Sequence, residues 1–133
     1  MNSLLCQECN TNFEAKRNDA LKCRPCVNNW RKEWAKTKHA KEMRRLANRR
    51  VREAALAGYG SVCNCCDEDI FEFLAIDHVN GGGRKEREVM STAQIARKVI
   101  NENWPDTYQV LCHNCNQAKG WYGICPHEKG RTA

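Results

Sequence analysis

Eight of the ten cysteines in this 133-residue chain fall into Cys-x-x-Cys pairs: Cys6 and Cys9, Cys23 and Cys26, Cys63 and Cys66, and Cys112 and Cys115. A two-residue gap lets a tight turn bring both sulfurs onto one ion, and two such turns complete the tetrahedron that Zn²⁺ prefers. Thirteen residues separate the first two pairs, which makes a short module over residues 6–26. The last two pairs lie 45 residues apart, so a second ion would tie a longer insertion together at its base. Both groups are expected to hold structural zinc. A redox Cys-x-x-Cys needs a thioredoxin-like βαβ setting that is not seen here. Disulfides need an oxidising compartment, and Met1 to Cys9 shows no basic stretch followed by an apolar one, so no export signal is expected. A four-thiolate iron–sulfur cluster is the lesser alternative.

Zinc also answers a size problem. Residues 1–26 contain only Leu4, Leu5, Phe13 and Leu21 as large apolar groups, too few to fold unaided. Binding free energy on the order of 10–16 kcal/mol per structural zinc supplies the missing stability. Cys63-Asn64-Cys65-Cys66 offers two choices of ligand; the standard spacing from Cys63 favours Cys66 and leaves Cys65 as a packed or uncoordinated thiol. In Ile124-Cys125-Pro126-His127, Cys125 and His127 are further candidate ligands, with a plain closing turn as the preferred expectation.

A second group of residues follows an apolar run. Phe71 to Ile76 reads as a short strand entering Asp77-His78, then Val79-Asn80 and the flexible Gly81-Gly82-Gly83. Ser91-Thr92-Ala93-Gln94 is a capping-box start, and Ile95, Val99 and Ile100 give a helix an apolar face to about Asn103. After the break at Trp104-Pro105-Asp106, Tyr108 to Leu111 reads as a second strand delivering Cys112-His113-Asn114-Cys115-Asn116, and Gln117-Ala118-Lys119 opens a short helix. The two cysteine turns thus hold a β–β–α unit shut.

The chain carries 22 Lys+Arg against 16 Asp+Glu, a net +6. Residues 27–57 alone hold 10 basic and 3 acidic groups, more positive charge than the whole chain. This segment lacks Gly and Pro and stops at Gly58-Tyr59-Gly60, so residues 28–57 are expected to form one helix, about 45 Å long. Trp30, Trp34, Met43, Leu46 or Ala47, Val51 and Ala54 form a thin apolar stripe, enough to pack along part of the length only. Arg44, Arg45, Arg49, Arg50 and Arg52 crowd little more than two turns, a pattern suited to phosphate backbones through release of condensed counterions. A solvated linker helix is the bland alternative. Mean hydropathy is −0.76, and no stretch approaches the roughly 18 consecutive apolar residues of a membrane span.

From Cys63 onward the residues resemble the HNH endonuclease family, in its zinc-knuckle branch of ββα-metal nucleases. The resemblance covers about residues 61–127. It rests on Cys63-x-x-Cys66, Asp77-His78, the Gly81-Gly82-Gly83 loop, and Leu111-Cys112-x-x-Cys115-Asn116 with Lys119 after it. In this order the set is specific, although each fragment alone is weak. The implied architecture is a small zinc-stabilised α+β protein: a four-cysteine zinc module over residues 1–26, a basic linker helix over 27–60, and an HNH nuclease domain over 61–133. The resemblance makes His78 the general base and Asp77 with Asn116 the ligands of a Mg²⁺-type cation, with Lys119 or Arg84 beside the phosphate. Phosphodiester hydrolysis suits such groups, because the attacking water must lose a proton and the leaving 3′ oxygen must have its charge stabilised. A hard cation on one or two oxygen ligands keeps room for phosphate and water. On a regular strand Asp77 and His78 would face opposite ways, so the loop start after Ile76 is expected to twist both into one site.

Two positions depart from the family pattern. Its last His is Asn116 here, which matches an H-N-N variant and still offers an oxygen. Its middle Asn falls on Thr107, leaving the bracing of the base-carrying loop to Thr107, Asn101 or Asn103. The expected function is a metal-dependent DNA endonuclease with two Zn²⁺ and one Mg²⁺-like ion, with RNA as an open alternative substrate and neither a membrane nor a small-molecule partner. The family's small stand-alone members look like phage or mobile-element nucleases, some of them homing enzymes, which implies the cytoplasm of a bacterial or phage-infected cell. The competing class is a non-catalytic zinc protein that binds nucleic acid within a larger assembly. A zinc scaffold for protein contacts is the third, and it predicts no DNA binding by the basic helix.

Overall fold

In the computed structural model, which describes residues 2–17 and 19–130, the chain is a small α+β protein with cysteine clusters that could hold zinc. It divides into two separately packed units, with the boundary after Arg45. In the first unit, β1 (Asn2–Leu5) and β2 (Asn12–Ala15) pair antiparallel, Leu4 opposite Phe13. The turn between them carries Cys6 and Cys9. It is closed by Cys6 N–H donating to Thr11 O at 3.0 Å and Asn10 N–H to Cys6 O at 2.9 Å. Helix α1 (Arg24–Lys36) begins on the second cysteine pair: Cys23 is its N-cap, and Pro25 falls in the first turn, where a missing N–H costs nothing.

Two helices stand where the pattern predicts one. Thr37 ends α1 in extended backbone, and its N–H and hydroxyl both donate to Trp34 O, at 2.9 and 2.7 Å. Its Oγ1 also accepts from Ala40 N–H at 3.2 Å, so one threonine closes α1 and caps the start of α2 (Lys38–Ala57). The apolar stripe is mostly uncovered: Trp30, Trp34, Met43 and Leu46 are exposed, and near its C-terminal end α2 buries Ala55 and Leu56 rather than Ala54.

The second unit is built on a hairpin of β3 (Leu74–His78) and β4 (Tyr108–Cys112), with Asp77 opposite Gln109 and His78 opposite Tyr108. The strand starts at Leu74 rather than Phe71, because Phe71–Phe73 winds into a 3₁₀ turn. The Phe71 ring lies against the guanidiniums of Arg49 and Arg52, 4.7 and 4.4 Å from its centroid. Gly81 and Gly82 take φ of +76° and +91°, backbone that glycine adopts without strain, and turn the chain into α3 (Gly83–Val89), an element the sequence pattern does not assign. Helix α4 (Thr92–Asn101) opens on the Ser91–Gln94 capping box, as the sequence predicts. Helix α5 (His113–Tyr122) starts four residues before the expected Gln117, because Cys112 Sγ accepts Cys115 N–H at 3.4 Å and caps it. A one-turn α6 (Pro126–Lys129) follows.

The main core of this unit joins Leu56, Leu74, Val110 and Leu111 to Cys63, Cys65, Cys112, Cys115 and Cys125. With cysteines supplying five of these nine buried residues, its cohesion depends on what the sulfurs bind. A smaller cluster of Ile95, Val99 and Tyr108 packs α4 on the hairpin. Among the described residues no helix is long and apolar enough to cross a membrane.

Candidate functional site

The cysteine pairs converge as their spacing requires. Cys6, Cys9, Cys23 and Cys26 form one group and Cys63, Cys66, Cys112 and Cys115 another, with the sulfurs of each group within 4.8 Å of one another. Tetrahedral zinc with bonds of about 2.3 Å has sulfur–sulfur edges of about 3.8 Å. Cys9 Sγ lies 3.7 Å from Cys23 Sγ, and Cys66 Sγ lies 3.7 Å from Cys112 Sγ. Each group therefore fits a zinc ion in donor type and in size. Backbone amides point at the sulfurs: Cys23 N–H donates to Cys6 Sγ at 3.3 Å, and Cys65 N–H to Cys63 Sγ at 3.4 Å. Hydrogen bonds from the amides of Cys23 and Cys9 pull the Cys6 thiol down to about 6, whereas Cys26, sharing protons with Cys23 and Cys9, is pushed up to about 12. Metal entry at this group therefore displaces protons.

Asp77 and His78 end β3, and the ladder continues past them, since Val79 N–H donates to Thr107 O at 3.0 Å. The two side chains consequently face opposite sides of the hairpin, and the twist expected at the loop start does not occur. Asp77 points toward α5, where its Oδ2 accepts from Lys119 Nζ at 2.6 Å and from Gln109 Nε2 at 3.0 Å. Lys119 also donates to His78 O at 2.7 Å, so it braces the loop from within rather than offering a free charge to a ligand. Asp77, Asn116 and Lys119 line an open cleft of about 500 Å³, rimmed by Gly81 and Gly83. Arg87 of α3 lines this cleft in place of the expected Arg84.

His78 turns to the other face. Its ring lies 4.6 Å from that of Tyr108, and its Nε2 is 2.7 Å from Glu86 Oε2. The second oxygen of Glu86 accepts from Lys98 Nζ at 2.7 Å and from Tyr108 OH at 2.8 Å. Gly83, which lines the cleft, adjoins the imidazole: a Cβ there would fall 2.7 Å from Nδ1, closer than a side chain tolerates without displacing the ring. Burial opposes ionisation of Glu86, but the hydrogen bonds from Lys98 and Tyr108, with the His78 ring close by, outweigh it and hold the carboxyl below its ordinary value. A carboxylate lowered in this way stabilises the fold above its ordinary 4.5 and loses that contribution as pH falls through its folded value. Glu86→Gln is therefore expected to destabilise the unit at neutral pH. The gap to wild type should close in acid, as read by urea unfolding from about pH 7 to about pH 3.

The basic residues of α2 divide by role. Arg52 donates to the carbonyls of Phe71 and Leu74, and Arg49 pairs with Glu53 at 2.8 Å and Glu72 at 3.5 Å, so both tie α2 to the start of β3. Arg44 and Arg45 are exposed, with local contacts to Ala35 O and Glu42, and Arg50 is exposed. Of the candidate braces for the loop, Thr107 serves through its carbonyl, while Asn101 and Asn103 lie exposed at the end of α4. His113 contacts Glu72 O at 3.2 Å and His39 is exposed on α2. Glu86 and Arg87 are missed by the sequence pattern, which assigns no element between Gly83 and Ser91; the one signal pointing to them is the run of helix formers from Arg84 to Glu88. Compared with known proteins, the chain matches no family model, no curated protein and no solved structure.

Proposed function

We propose that the chain is a metal-dependent endonuclease of HNH type that hydrolyses phosphodiester bonds in DNA. The observation that carries this reading is the junction at the end of β3: two oxygen donors, Asp77 and Asn116, line one open cleft, and the next residue, His78, lies against the half-buried Glu86 carboxylate and against Gly83, which lines the same cleft. Asp77 and Asn116 are the residues that would hold a Mg²⁺-type cation, and their hard oxygens suit it. Such an ion, when bound, stabilises charge on the phosphate and the leaving oxygen. Glu86 Oε2, 2.7 Å from Nε2, holds that edge of the His78 ring, and Nδ1, beside Gly83, takes the proton of an attacking water. Lys119 holds the Asp77 carboxylate and the His78 carbonyl in register, and Arg87 places a positive charge on the cleft wall. Asp77→Asn with Asn116→Ala should remove Mg²⁺-stimulated cleavage of duplex DNA while leaving zinc content intact. Cleavage at the wild-type rate would sink the assignment.

The exposed arginines of α2 supply affinity in this reading. Replacing Arg44, Arg45 and Arg50 with alanine should weaken binding across sequences and flatten the plot of log K against log salt by about 0.9 per lost phosphate contact. An unchanged slope in a fluorescence titration would make α2 a linker.

A second reading, a zinc-stabilised nucleic-acid-binding protein without catalysis, is favoured by one observation. Asp77 is already engaged by Lys119 and Gln109, and His78 points away from Asp77 toward Glu86. That reading predicts salt-sensitive DNA binding with no cleavage under any divalent cation.

A further inference from the structure

Beside the second cysteine group, and sharing Cys115 with it, lies another set of soft ligands; its other three members, Cys65, Cys125 and His127, have no role in the nuclease or in the two expected zinc ions. Cys65, Cys115, Cys125 and His127 each bring one ligand atom to within 4.8 Å of the others. They come from three places: the turn over residues 63–66, the first turn of α5, and the start of α6, where Cys125 is the N-cap and His127 follows two residues later. The three thiols are buried, at 1% exposure for Cys65, 0% for Cys115 and 2% for Cys125. His127 is exposed, yet its Nδ1 turns inward to 3.4 Å from Cys115 Sγ and 3.6 Å from Cys125 Sγ. A tetrahedral zinc ion bound at about 2.3 Å by sulfur and about 2.0 Å by nitrogen has sulfur–nitrogen edges of about 3.5 Å. Both distances fit that edge.

Burial of thiols as small apolar groups accounts for Cys65 and Cys125 alone. It does not account for a surface imidazole that turns a ring nitrogen from water onto two sulfurs. Nor does packing explain why α6, a single turn with no buried residue of its own, is held in place: so short a helix does not persist unaided. A metal clip between residues 125–127 and the hairpin explains both. Cys115 belongs to both ligand groups, and a thiolate sulfur keeps lone pairs beyond the one it gives to a first ion, so it can bridge two.

We propose that the C-terminal unit holds a pair of zinc ions: one on Cys63, Cys66, Cys112 and Cys115, the other on Cys65, Cys125, His127 and the bridging thiolate of Cys115. The chain then carries three zinc ions. This inference is independent of nuclease activity, and it assigns Cys65 and the Cys125-Pro126-His127 turn as ligands where the sequence alone favours a packed thiol and a plain closing turn.

Native mass spectrometry of the full chain, purified with zinc, tests it against the Cys125→Ser/His127→Ala double variant. The expected result is three zinc ions in the wild type and two in the variant, with circular dichroism showing a loss of no more than the single turn of α6. Two ions in the wild type, or three retained in the variant, would overturn the proposal. His127→Ala alone guards against misfolding, since the side chain is exposed. In the cobalt-substituted protein it should change the visible ligand-field bands that report nitrogen ligation, and bands identical to wild type would equally contradict the bridged pair.

Discussion

Replacing Cys63 with serine should unfold the second unit and reduce zinc content to the ion of the Cys6, Cys9, Cys23 and Cys26 group. Cys63 is fully buried, and its N–H donates to Glu68 O at 2.8 Å, so it anchors both the ion and the turn that carries it. The next amide, Asn64 N–H, donates to Val110 O at 2.9 Å and docks that turn on β4. Apart from cysteines, the main core holds only four fully buried side chains, Leu56, Leu74, Val110 and Leu111. Zinc binding on the order of 10–16 kcal/mol is as large as the whole stability of an ordinary domain, about 5–15 kcal/mol, so losing one ligand leaves no margin. Chelation with EDTA should act in the same direction, because a core with so few aliphatic groups lacks an alternative source of cohesion. Circular dichroism and metal analysis read the outcome together; a variant that melts with the wild-type midpoint would show that the cysteines pack without metal.

His78→Ala is expected to slow DNA cleavage by about 10³-fold while leaving zinc content and DNA affinity within about twofold. The side chain is held on three sides: Glu86 at Nε2, the Tyr108 ring against its face, and Gly83 at Nδ1. These contacts fix the ring beside Gly83, which lines the cleft, so removing it takes away the proposed proton acceptor. Glu86→Gln provides the matching control. It keeps the shape but loses the charge 2.7 Å from Nε2, and about 10²-fold is the expected loss in rate. A His78→Ala protein that cleaves within about tenfold of wild type would place the general base elsewhere.

The two four-cysteine groups are legible in the sequence because each Cys-x-x-Cys pair is set by one local turn: two residues between cysteines decide the geometry before any tertiary contact forms. The hairpin is legible for a similar reason, since Phe71 to Ile76 and Tyr108 to Leu111 are short, mostly apolar stretches, each ending on a polar or cysteine turn. The break at Thr37 is not, because one capping threonine among strong helix formers gives little periodic signal. The opposite facing of Asp77 and His78 is present in the period-two alternation of a strand. The sequence does not show that the alternation persists there, because cross-strand pairing beyond His78, through Thr107, depends on a partner 28 residues from Val79. Glu86 lies hidden for the same reason. Its meaning comes from three residues, His78, Lys98 and Tyr108, that only the folded chain gathers around it. The arginines of α2 look alike in sequence, yet the stacking of Arg49 and Arg52 on Phe71 commits those two to the fold.

The central claim, that the cleft beside Asp77 and His78 hydrolyses DNA, is tested most directly by incubating the zinc-loaded protein with supercoiled plasmid and Mg²⁺ or Mn²⁺. His78→Ala and an EDTA-quenched reaction run beside it. The predicted result is conversion to open-circle or linear DNA that requires the added cation and is lost in the variant. Plasmid that stays supercoiled under both cations, while the same protein binds it in a salt-sensitive manner, would contradict the claim and leave a zinc-stabilised DNA-binding protein in its place.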